Sequence, residues 1–177
     1  MMNDFIKVMV FFFGISIAQD GHNPTISEHL LPFKPYLGKT YEGDFINSTK
    51  EHPMRDVLTW ERSLNGNAIK MIHSVNHGEY GGETMIMWDP ITKGLRSWYF
   101  TTAGSLTLST VEIRGEQFIT IEDVAGNQNG ITKVKTVIQL LYGEKLQKKT
   151  KYLMNNMWVD GNEMIYERAY GKDPLFE

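Results

Sequence analysis

The chain contains no cysteine. That excludes disulfides, thiolate metal sites, a cysteine nucleophile and a lipid-modified N-terminal cysteine. Packing alone must therefore stabilise the fold, and 177 residues are enough to bury a core without crosslinks. A basic excess is lacking too: 18 Lys and Arg stand against 21 Asp and Glu, a net charge of −3. Neutralised phosphates supply much of the affinity of nucleic-acid binders, so no nucleic-acid partner is expected. The densest basic run, Lys145, Lys148, Lys149 and Lys151, would be split by strand alternation across two faces and reads as solvated surface.

Long apolar runs are equally scarce. One follows Lys7, VMVFFFGISIA, from Val8 to Ala18, too short for a membrane span of roughly 20 residues. Ser16 and Ala18 are small residues at the −3 and −1 positions of a cut before Gln19. A basic residue, a short apolar core and a small-x-small site describe a secretory signal peptide. Residues 1–18 are therefore expected to be a cleavable signal, giving a secreted or periplasmic protein with no membrane span after its removal.

No helical period is sustained over three turns. Residues 19–36 read as a polar spacer and a short helix in SEHLLPFKPYLG, with Ser27 as cap, Leu30 and Leu31 as docking residues, and Pro32 and Pro35 limiting its length. What is present beyond it is strand pattern. Strands are expected near 39–46, 55–64, 68–76, 83–88, 95–102, 105–113, 117–124, 131–142, 145–155 and 163–170, with short turns such as NGN at 65–67 and DGN at 160–162. Strands joined so tightly are antiparallel neighbours in chain order. An open sheet of that size leaves two long edges, and closure removes them. The expected fold is all-β: a single up-and-down antiparallel barrel of about 8–10 strands over residues 37–177, preceded by the short helix.

At LGKTYEGDF, residues Leu37, Gly38, Tyr41 and Gly43 resemble the opening motif of calycin (lipocalin-like) barrels, and of their nitrobindin-like branch and related secreted bacterial proteins, with Tyr in place of Trp and one extra residue. LNGNAI and MWDPITKGLRSWYF are similar to later hairpins of that group. The resemblance implies a lipocalin-like barrel of unassigned ligand. Nitrobindin-like proteins hold haem through a histidine late in the barrel, whereas His22, His29, His52, His73 and His77 all lie in the first half of this chain. No haem, and no other cofactor, is expected.

The stretch SVNHGEYGGETMIMWDP, which His73 immediately precedes, holds His77, Glu79 and Glu83 beside three glycines. Extended chain carries His73 and His77 about 13 Å apart, so a metal is not expected, and the glycines read as a turn. His73 alternates with Ile69, Met71 and Val75 and reads as a hydrogen-bonded histidine on an apolar face. No nucleophile elbow and no phosphate loop is present, and no catalytic residue is assigned. The aromatics remain. Trp60, Arg62, Trp88, Trp98 and Tyr99 are the candidate ligand-binding residues, with Arg62 as polar anchor, because small-molecule pockets are mostly apolar and aromatic with few placed polar groups. The expected partner is a small hydrophobic or amphiphilic molecule bound by a monomer or homodimer. Two alternatives stand: a calycin-type cyclase or isomerase using Tyr99, His73 or a glutamate, and an envelope interaction protein with a filled barrel and an exposed apolar patch.

Overall fold

A computed structural model describes residues 25–124 and 130–176; the expected signal peptide lies outside them. A 3-10 helix, Glu28–Tyr36, precedes ten strands: β1 (Lys39–Asp44), β2 (Arg55–Ser63), β3 (Ala68–Val75), β4 (Tyr80–Asp89), β5 (Gly94–Thr101), β6 (Leu106–Arg114), β7 (Gln117–Asp123), β8 (Ile131–Leu141), β9 (Lys145–Met154) and β10 (Met157–Ala169). Each strand pairs antiparallel with its neighbours in sequence, and β1 pairs with β10 to close the barrel. The expected all-β barrel with its short leading helix is what the chain forms.

Local chemistry sets the connections. Asn65, Asn76, His77, Asn155 and Asn156 have positive φ (56°, 49°, 63°, 50° and 62°), a backbone region that asparagine tolerates better than most residues. Two expected boundaries shift. The turn after β3 is confined to Asn76–Gly78, so Gly81 and Gly82 lie inside β4. DGN at 160–162 is no hairpin turn. Asn155 and Asn156 make that turn, and the pairing of β10 with β9 slips between Asp160 and Glu163 as a bulge.

The helix closes one end of the barrel. Three residues per turn put Leu30, Phe33 and Tyr36 on one side, and all three are buried, while Leu31 stays exposed instead of docking. Phe33 and Tyr36 sit 6.2 and 5.1 Å from Trp60 between ring centroids, and Phe118 lies 5.2 Å from Trp60. Leu58, Ile69, Ile86, Leu95, Val111, Ile138 and Leu146 complete this plug. Each such side chain contributes about 1.5–3 kcal/mol on burial, so the plug dominates the core. Burial pushes the Tyr36 phenol up to about 12, and it donates to the Glu116 carbonyl at 3.3 Å.

These buried residues fix which face of each strand points inward, since alternate residues share a face. The outer face carries ion pairs instead: Lys70–Glu61, Lys149–Glu163 and Lys151–Asp160.

Candidate functional site in the barrel lumen

Counting inward from the plug, β2 places Asp56 beyond Leu58 and Trp60, and β3 places His73 beyond Ile69 and Met71. The two side chains meet: His73 Nδ1 lies 3.0 Å from Asp56 Oδ1. His73 Nε2 is 2.8 Å from the Tyr99 hydroxyl, which is 3.2 Å from that of Tyr80. On the other side, the Tyr166 hydroxyl donates to Asp56 Oδ2 at 2.9 Å. A carboxylate only accepts, so Asp56 takes its bond from His73 Nδ1, and the Tyr99 hydroxyl bridges His73 Nε2 and the Tyr80 hydroxyl. The chain runs from a fully buried carboxylate to a phenol exposed at the barrel rim.

Burying unpaired polar groups is expensive, and charge most of all; Asp56, His73, Tyr99 and Tyr166 each have a partner here. Burial, reinforced by the bond to Tyr80, raises the Tyr99 phenol far above its ordinary value, and burial beside Asp56 does the same for Tyr166. Both therefore remain neutral hydrogen-bond donors.

Two glycines make the contacts possible. Asp56 is paired with Gly43 on β1, and His73 with Gly82 on β4. The tyrosines come from the strands beyond, β10 and β5, and must lean across these positions. A Cβ on Gly43 would stand 3.1 Å from the Tyr166 ring, and one on Gly82 would stand 2.6 Å from the Tyr99 ring. Glycine inside a strand here marks the close approach of a neighbour. Gly82, expected in a turn, is a crossing point.

Beyond the plug the inward face turns to hydroxyls. Register aligns Thr84 with Tyr99, Ser97 with Ser109, Ser109 with Glu122, Thr120 with Thr136, and Thr136 with Thr150. Thr84, Ser97 and Ser109 are buried, whereas Tyr99, Glu122, Thr136 and Thr150 are only half-buried. An inward side chain in a closed barrel keeps accessible surface where the lumen has room for water. Burial raises the Glu122 carboxyl above its usual range, against the bond it receives from Thr107. Among the described residues no cluster of His, Asp and Glu is arranged to hold a metal.

The five expected ligand residues do not converge. Trp60 is in the plug. Arg62 holds the segment before the helix, its Nε donating to the Thr25 carbonyl at 3.2 Å, and Trp88 stacks on His29 of the helix itself at 3.7 Å between centroids. Tyr99 joins the buried chain. Trp98, one residue away, points outward and is paired with Met85 and Leu108. Asp56, Tyr80 and Tyr166 were not among the expected residues; Asp56 alone on an apolar strand face was the available signal. A groove of about 1830 Å³ at the rim, between residues 48–55 and the tail at 171–175, reaches Tyr80 and contains none of the five.

No family model matches the chain, and no curated protein matches it in sequence. The closed ten-stranded antiparallel barrel is itself consistent with a calycin-like fold.

Proposed function

We propose that the protein is a small-molecule-binding barrel that takes its ligand into the half of the lumen left open by the helix. The observation that carries this is the band of half-buried, inward hydroxyls across β5–β9, which a structural core would replace with aliphatic side chains. The lining favours an amphiphilic molecule over a pure hydrocarbon, because buried polar groups demand partners. Secretion to the periplasm or medium, as monomer or dimer, and kinship with the nitrobindin-like branch belong to the same reading, on the strength of the Val8–Ala18 run and of Leu37, Gly38, Tyr41 and Gly43. The neutral dye N-phenyl-1-naphthylamine should bind saturably. Thr136→Trp, which fills the lumen, should abolish that binding in a protein that still melts cooperatively. Outward Thr110→Trp should leave it intact. Equal binding by both variants would sink the proposal.

The enzyme alternative has one observation in its favour, the Asp56–His73–Tyr99–Tyr80 chain. It requires a turnover that His73→Asn removes while dye binding persists. The interaction reading expects a filled barrel. Exposed Phe100, Leu106 and Leu108 on the outer face of β5 and β6 suit it, but the half-buried lumen hydroxyls do not.

A further inference from the structure

Among the described inward side chains of β5–β9, one is a cation. Lys148 lies on β9 two residues beyond fully buried Leu146, and pairs across the sheet with Ile138 and Met164, both in the core. Alternation aims it into the lumen. The other lysines of the same run point outward: Lys145, Lys149 and Lys151 pair with Glu167, Glu163 and Asp160. Among the described residues, Lys148 has no ion-pair partner. The inward acids are engaged elsewhere: Asp56 by His73 and Tyr166, and Glu122 by Thr107, the shift of its carboxyl arising from burial with no cation contributing.

Lys148 is half-buried as a residue, and an ammonium loses solvation on burial that a paired anion restores. Ile138, Leu146 and Met164 show what a purely structural position here accommodates. An incoming anion would supply the missing partner, and a charge-assisted hydrogen bond is roughly twice as strong as a neutral one. Thr136 and Thr150 flank Lys148 on the inward face, adding neutral donors beside the cation. Tyr152, two residues further toward the open end, offers a ring surface for an apolar body.

We propose that Lys148 is the anion subsite of the lumen, and that the ligand is an amphiphilic organic anion whose carboxylate, sulfonate or phosphate head pairs with its ammonium. This rests on the lumen being the binding site. The matched dyes 8-anilinonaphthalene-1-sulfonate and N-phenyl-1-naphthylamine differ only in the sulfonate, and therefore isolate the head group. Lys148→Met should weaken binding of the sulfonate about tenfold or more while the neutral dye shifts by less than about twofold. Lys149→Met, the outward neighbour, should change neither. Lys148→Gln repeats the test if the methionine variant fails to fold. Unchanged sulfonate affinity in the Lys148 variant, or equal weakening of both dyes, overturns the subsite. If the wild-type protein binds neither dye saturably, the lumen reading fails and the subsite with it. Binding of both dyes, with no discrimination by Lys148, removes the subsite and leaves the lumen reading standing.

Discussion

The two ends of the lumen solve the problem of filling a ten-stranded barrel in different ways. At the helix end, aromatic and aliphatic side chains pack without need of direction. Two polar atoms there, Trp60 Nε1 and Tyr41 Oη, are buried with no hydrogen-bond partner in the described structure. At the other end, every member of the Asp56–His73–Tyr99–Tyr80 chain is positioned by hydrogen bonds and by glycines that leave space for them. The first end tolerates an unmet polar atom because apolar burial outweighs it. The second has little apolar burial to spare and depends on geometry. Stability should therefore be concentrated at one end, and chemical specificity at the other.

The largest effect is expected from the plug. Trp60→Ala removes the ring that touches Phe33, Tyr36 and Phe118 and should cost about 3–5 kcal/mol in denaturant unfolding. A loss below that of the lumen variants would show that the helix end is not the main source of stability.

Next is Gly82→Ala. Its Cβ would collide with the Phe100 carbonyl and stand 2.6 Å from the Tyr99 ring, so β4 must shift or Tyr99 must leave His73. Overpacking of this kind costs about 1–3 kcal/mol. The histidine resonances should report the break: the His73 ring loses its Nε2 bond to Tyr99. An unaltered His73 spectrum would refute the crossing role.

The barrel was visible in the sequence, whereas the division between its two ends was not, and the reasons are physical. Strand positions were legible because short asparagine- and glycine-bearing turns separate alternating runs, and the hydrogen-bonded role of His73 followed from its place between Met71 and Val75. The glycines at 81 and 82 read as a turn because glycine punctuates chains, yet its lack of a side chain also serves inside strands. Asp160–Gly161–Asn162 misled in the same way, a turn sequence used as a bulge. The candidate site was scattered because Trp98 and Tyr99 are adjacent in a strand and must face opposite ways, and because Tyr166 reaches Asp56 across 110 residues of sequence. Pairing over such a distance leaves no local pattern.

The sharpest test of the comparison runs through two tyrosines on adjacent strands, one of which should show the smallest effect of all. Tyr41 and Tyr166 are both fully buried, and burial raises both phenols, Tyr41 to about 12. Their hydroxyls differ in one respect: that of Tyr166 donates to buried Asp56, whereas that of Tyr41 meets no acceptor among the described residues. Removing a hydrogen bond to a buried charged group costs about 1.5–3 kcal/mol, while deleting an unmet polar atom is close to neutral or slightly stabilising. Tyr166→Phe should therefore lower the unfolding free energy by about 1.5–3 kcal/mol, and Tyr41→Phe should leave it within about 0.5 kcal/mol of the parent or raise it. Both changes remove the same oxygen from equally buried rings, so the transfer terms cancel between them. Equal losses would mean that the two ends of the lumen are held by the same forces.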